Sequence, residues 1–313
     1  TYTMLSSNAA RYIGISISAG TTTATSSIQG NTVTAISLNT SSGANASNGV
    51  LCGINILGAT NANVGNITPN IIGGSSGTGL LTAIPTSSQG TIVGINSSST
   101  GSVIIQSNII GGLTATGTTA AIAGGLIGIN CSGIAASMTI TGNTIGNSTA
   151  ENMRAGTTVL TTGSSIATGI NLASTPTILN VTNNTIQNIV SYGTGNAGYV
   201  RGITTAFGSG NTTALNLTGN TISNLSTNST LTSILNGLGT VNGIVMSIGN
   251  SSTVTGNTIF NLSNTNTGTG AYYVCGVTLS NGTNTSVKGN IIYNLSNAST
   301  STIIPPVAAG ILV

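Results

Sequence analysis

Catalysis and metal binding need groups that ionise, attack or ligate, and this chain has few. Five of its 313 residues carry a formal charge: Arg11, Glu151, Arg154, Arg201 and Lys288. Asp and His are absent. Glycoside hydrolysis needs two carboxyl groups about 5 to 10 Å apart. A calcium-assisted lyase needs several acidic oxygen ligands. One glutamate supplies neither. Ser and Thr are abundant, but without His or Asp no conventional triad can take their proton. Glu151 stands three residues before Arg154, the spacing of a solvated ion pair worth under ~1 kcal/mol. The sequence therefore predicts no enzyme and no cofactor.

The sulfur chemistry is equally thin. Cys52 and Cys275 each precede a Gly-Ile or Gly-Val step, and Cys131 follows one by three residues. With no His and no paired cysteines, no zinc site is expected. The three thiols read as small buried hydrophobes. A net charge of +3 is too dilute for nucleic acid, which requires clustered cations and stacking aromatics. No run of about 20 apolar residues suggests membrane insertion. Thr1 to Ala10 lacks the basic start and apolar stretch of a signal peptide.

What the chain has instead is repetition. A Gly-Ile or Gly-Val step recurs at Gly14, Gly53, Gly94, Gly128, Gly169, Gly202, Gly243, Gly276 and Gly310. An asparagine followed two residues later by Ile or Val recurs at Asn31, Asn70, Asn108, Asn143, Asn184, Asn220, Asn257 and Asn290. Both series advance by 33 to 41 residues, which is the signature of a repeat architecture. Around each asparagine, apolar residues alternate with Thr, Ser or Asn. That period of two, rich in β-branched side chains, indicates strands. Three residues before the asparagine stand Ile28, Ile67, Ile105, Ile140, Val181, Leu217, Val254 and Val287. Two after it stand Val33, Ile72, Ile110, Ile145, Ile186, Ile222, Ile259 and Ile292.

Each repeat reads as three short strands: one carrying Gly-Ile, one ending at the asparagine, one following it. Such a triplet buries its apolar face only by stacking on the next. The predicted fold is all-β, a parallel β-helix of about 8 coils, right-handed because its coils are long and variable. Residues 1–313 form one domain, expected to lack caps at both ends. At about 4.8 Å per coil the rod is on the order of 40 Å long. The motif asparagines are expected to stack as an amide ladder. A second ladder is expected four residues on, at Asn147, Asn188, Asn224, Asn261 and Asn294. The glycines belong where the coil bends or where backbones pack closely. Insertions fall between each asparagine and the next glycine, and Leu231 to Leu235 is apolar enough to add a strand there.

The segments Val181-Thr182-Asn183-Asn184-Thr185-Ile186-Gln187-Asn188-Ile189 and Leu217-Thr218-Gly219-Asn220-Thr221-Ile222-Ser223-Asn224-Leu225 carry a likeness, as does Val254-Thr255-Gly256-Asn257-Thr258-Ile259-Phe260-Asn261-Leu262. They resemble the repeats of bacterial right-handed parallel β-helix surface proteins, including the secreted repeat proteins of Bacteroidetes-like bacteria and, more loosely, adhesin passenger domains. The resemblance spans nearly the whole chain and implies an exported protein acting outside the cell. It is specific for fold and weak for function, because one coil type supports enzymes, adhesins and fibres.

The expected function is an extracellular structural one: a segment or subunit of a surface fibre, filament or adhesin stalk. Near-absence of charge permits close packing of copies, so a homopolymer is expected, joined end to end and along its sides. A carbohydrate or other cell-surface ligand is the expected partner of an adhesin. Tyrosine-bearing segments from Gly193 to Arg201 and from Gly268 to Tyr273 are candidate contacts, against the plainer reading of loop residues covering a coil edge. An alternative is ice binding through outward threonine ranks: Thr141, Thr182, Thr218 and Thr255, then Thr144, Thr185, Thr221 and Thr258. Those ranks fail in the early repeats, and Thr suits any exposed strand face. A carbohydrate-active β-helix is the remote alternative. Asn-x-Ser/Thr triplets at Asn66, Asn147, Asn211, Asn228 and Asn281 leave glycosylation open.

Overall fold

The structure is a computed structural model describing residues 2–5, 10–19, 23–41, 48–117, 119, 122–158, 162–174, 176–195, 197–205, 214–231, 239–246, 252–280, 284–302 and 307–313. Residues 232–235, most of the Leu231 to Leu235 segment expected to add a strand, lie outside that set, as do Asn211 and Asn281. The described residues form strands and no helix. Three parallel sheets run along the molecule. Sheet I has nine strands, from Tyr12–Ala19 to Val307–Leu312, and carries the Gly-Ile steps. Sheet II has eight, from Thr25–Ile28 to Ser286–Lys288, and leads to each asparagine. Sheet III has thirteen and follows the asparagine. The stacking makes a parallel β-solenoid of about seven turns, close to the eight expected.

Register places like residues over like. In sheet II, Ile28, Val64, Ile105, Ile140, Val181, Leu217 and Val254 follow one another in paired register. All join the continuous hydrophobic core. Val64 corrects the sequence reading, which placed Ile67 in this column. Ile67 is 79% exposed. Three extra residues separate the core strand from Asn70 in that coil, so counting back from the asparagine lands in a turn.

Sheet III has more strands than coils because the early coils break it in two. Ile71–Gly73 and Leu81–Pro85 are separate strands, as are Thr144–Ile145 and Met153–Ala155. The next strand, Thr185–Ser191, pairs with both of the latter. Thr221–Thr227, Thr258–Asn264 and Ile291–Asn297 then continue unbroken. The segment 146–152 is the last insertion on this face, and it carries Glu151.

The motif glycines lie in the middle of sheet I, at a close approach between sheets. A Cβ on Gly169 would sit 2.6 Å from the Gly202 carbonyl oxygen and 2.6 Å from Cγ2 of Ile186. The isoleucine two residues after each asparagine thus rests on a glycine. Of the two roles expected for these glycines, close backbone packing is the one observed. Val93 and Asn96 flank Gly94 on its outer side, outside the core cluster, yet both are fully buried.

Gly169→Ala is expected to destabilise the fold by about 1–3 kcal/mol, the cost of overpacking a close contact. Gly310 belongs to the same column but has open space around its Cα, so Gly310→Ala should leave the denaturation midpoint nearly unchanged. Denaturant titration of both variants checks this.

Candidate functional site

The motif asparagine stands at the corner between sheets II and III, two residues after the second strand ends rather than within it. Thr182 closes one strand, Thr185 opens the next, and Asn183 turns the chain at a φ of 56°. Glycine takes that left-handed position in other coils, at Gly142, Gly219, Gly256 and Gly289. The corner aims a primary amide down the axis. Nδ2 of Asn184 donates to Oδ1 of Asn220 at 3.0 Å, and Asn220 does the same to Asn257 at 3.0 Å. The chain of amide bonds is continuous from Asn31 through Asn70, Asn108 and Asn143 to Asn290.

Each inner amide in this column is fully used. Oδ1 of Asn184 accepts from both Nδ2 and the backbone N–H of Asn143. Its Nδ2 donates forward to Asn220 and back to the Ile140 carbonyl at 3.0 Å. The six inner members are at most 1% exposed. A primary amide has two donors and two acceptor sites, and here all four have partners. Buried polar groups are tolerated on that condition.

The second expected ladder forms only in part. Asn261 donates to Asn224 at 2.9 Å and Asn294 to Asn261 at 3.1 Å, all three exposed. Asn188 donates instead to the Asn147 backbone carbonyl. Asn147 lies in the inserted loop, where its side chain accepts from Thr149. The shared property of this column is backbone conformation. Asn188, Asn224, Asn261 and Asn294 have φ of 52–54° or 55°, and Ala35 and Gly112 occupy the equivalent place at 59° and 69°. Asparagine tolerates that left-handed region. The bend lets Ile186 and Ile189, three apart, both reach the core.

A further amide column stands on the Gly-Ile-Asn steps, a repeat that the sequence analysis does not single out. Asn96 donates to Asn55 at 2.8 Å, Asn130 to Asn96 at 2.9 Å and Asn171 to Asn130 at 2.8 Å. It runs along the outer side of sheet I. The same side holds Arg201, 8% exposed, its guanidinium carbon 3.7 Å from the centre of the Tyr199 ring. Burial lowers the Arg201 pKa, opposed by Tyr199.

The threonine ranks are in register: Thr141, Thr182, Thr218 and Thr255 on sheet II, and Thr144, Thr185, Thr221 and Thr258 on sheet III. They stand on two sheets, with the asparagine corner between them. Thr182 Oγ1 donates to Thr141 Oγ1 at 2.9 Å.

Beside the inserted loop, the outer face of sheet III forms a groove of about 300 Å³. Ala150, Glu151, Asn188, Ile189, Val190, Asn224, Ser226, Asn261 and Ser263 line it. Glu151 adopts a φ of 53°. The Tyr192 hydroxyl donates to Glu151 Oε1, and Arg154 Nη1 lies 3.9 Å from Oε2. Burial, then the neighbouring Glu151, pushes the Tyr192 pKa up to about 12. Among the described residues no cluster of three His, Cys, Asp or Glu groups exists. The cysteines are free and buried, as the sequence implied. Cys131 faces the core; Cys52 and Cys275 lie on the outer side of sheet I. Burial raises the Cys52 and Cys131 thiols from 9.0 to about 12 and raises that of Cys275 too.

Compared with known families, curated proteins and solved structures, the chain gives no match.

Two outcomes follow from this geometry. Asn184→Ala removes the acceptor of two Asn143 donors and the donor to Ile140. At about 1–3 kcal/mol for each stranded buried group, unfolding should become easier by ~3 kcal/mol or more. Asn261→Gly, at an exposed left-handed position, should cost under ~1 kcal/mol; chemical denaturation of the pair checks the contrast. The cysteines hold their protons more tightly when folded. The stability this confers is complete below pH 9.0 and is lost as pH rises toward about 12. Unfolding titrations at pH 8 and above should show that decline, and a thiol reagent at pH 8 should label the cysteines only after denaturant is added.

Proposed function

We propose that the chain is an extracellular structural rod, a segment or subunit of a surface fibre or adhesin stalk. The observation that carries this reading is the buried amide column, continuous from Asn31 to Asn290. It ties every coil to the next and stiffens the solenoid along its axis. The near-absence of charge supports lateral packing, since like-charged faces would repel. The strand Ile291–Asn297 leaves Ile292 and Leu295 only partly buried against the core. A further coil, from the same chain or another copy, would cover them. Parallel strand edges of this kind pair readily, and end-to-end contacts between copies generate open filaments.

The threonine columns favour a second reading, ice binding through ordered hydroxyls. Their division between two sheets and the Thr182 to Thr141 bond weigh against it, because both reduce the flat array of free hydroxyls.

Electron microscopy of the purified chain separates these readings. Filaments with an axial repeat near ~40 Å, persisting from low to high salt, are expected for a self-assembling subunit. Isolated short rods would reject self-assembly and leave a stalk segment. Thermal hysteresis in the same preparation would replace the fibre reading with the ice-binding one.

A further inference from the structure

The groove on sheet III has features that the rod does not need. Its lining comes from four coils and repeats at the coil spacing of about 4.8 Å. Asn188, Asn224 and Asn261 form one row along it, and Val190, Ser226 and Ser263 the other. Glu151 closes one end. It is the only carboxylate side chain in the sequence, and its backbone is held in the left-handed region. For a non-glycine residue that conformation costs about 1–3 kcal/mol, and such strain concentrates at functional positions. Nearby, Nε of Arg154 is buried without a hydrogen-bond partner.

The chemistry of the lining selects its ligand. Amides and hydroxyls both donate and accept, while a carboxylate only accepts. A ligand that complements them must itself offer many groups that do both. The charges nearest the groove are one Glu and one Arg, side by side, so neither a cation nor an anion gains a net attraction. A divalent cation would also need several acidic oxygen ligands, and Glu151 is the one carboxylate in the groove. An extended peptide binds by adding to a sheet edge. Here Thr221–Thr227 is paired on both sides, so its backbone has nothing to offer. Polyhydroxyl chains meet every condition.

We propose that this groove binds a neutral oligosaccharide lengthwise along the solenoid, with Glu151 accepting hydroxyl hydrogen bonds at one end. The site goes beyond the rod function and does not depend on assembly.

Calorimetric titration of the full chain tests it, with maltohexaose, cellohexaose, xylohexaose and mannohexaose as probes to millimolar concentration. At least one should bind. Glu151→Gln should weaken that binding about tenfold or more, equivalent to ~1.4 kcal/mol. Ser226→Trp, which fills the groove from its solvent side, should abolish it. Thr218→Trp, on the outer face of sheet II, should leave it unchanged. Thermal melts confirm that each variant is folded; if Ser226→Trp is not, Glu151→Gln still decides. Three results would overturn the proposal: no binding by any of the four sugars, binding indifferent to Glu151→Gln, or saturable binding of calcium chloride or sodium sulfate that Glu151→Gln abolishes.

Discussion

The solenoid depends on solving one problem: how to bury polar backbone at a sharp corner in every coil. At the turn between sheets II and III, the asparagine's own N–H and a carbonyl of the preceding strand take side-chain partners, while the flanking backbone groups pair with neighbouring coils. Water cannot reach this corner, since the six inner corner asparagines are nearly inaccessible. A stacked primary amide answers both needs. Asn184 accepts from the Asn143 N–H at the preceding corner, donates to the Ile140 carbonyl in the strand before that corner, and bonds to the next amide as well. The rest of the coil is arranged around that spacing. The isoleucine two residues on is fixed by the corner, and it meets the glycine of sheet I at a distance that excludes a Cβ. Amide, isoleucine and glycine therefore form one unit, which explains why the three recur together.

This solution makes charge unnecessary. Cohesion between coils rests on hydroxyls and amides, which hydrogen-bond without the desolvation cost of ions. The few charged groups then stand out. Arg201 sits against an aromatic ring within the outer side of sheet I, where burial opposes its charge. Glu151 stands in the inserted loop that borders the groove, and Arg154 in the strand that follows it. The insertion both widens the coil and introduces the only acid, so shape and chemistry change together there.

Much of the fold was legible in the sequence because the asparagine and glycine columns recur in every coil at a spacing of 33 to 41 residues. Four features were not. Ile67 was taken for a core residue because an insertion near Asn70 shifted the count, and spacing alone cannot reveal which side of a turn is buried. The second asparagine row was read as a ladder, although Ala35 and Gly112 fill the same place. There asparagine is used for its tolerance of positive φ, and the sequence does not separate that use from stacking. The Gly-Ile-Asn column was overlooked although its spacing was plain, because an amide on the outer face of a strand looks like ordinary solvent-exposed polarity. The groove was beyond reach, since Glu151 and Ser263 lie far apart in sequence and only coil register brings them to one surface.

The amide-to-amide hydrogen bonds of the inner column all point one way. Each side-chain amide gives a proton to the coil that follows and receives one from the coil that precedes. The shorter columns on sheet I and at Asn224 to Asn294 run in the opposite sense. Their opposed dipoles offset part of the longer column's field. The two faces of the stack remain chemically distinct: the inner column offers donors toward the later coils and acceptors toward the earlier ones. A coil added to the later face completes the pattern only if its own acceptor meets that donor. The solenoid thus has a direction, and any assembly that extends it must be head to tail, with two unlike ends.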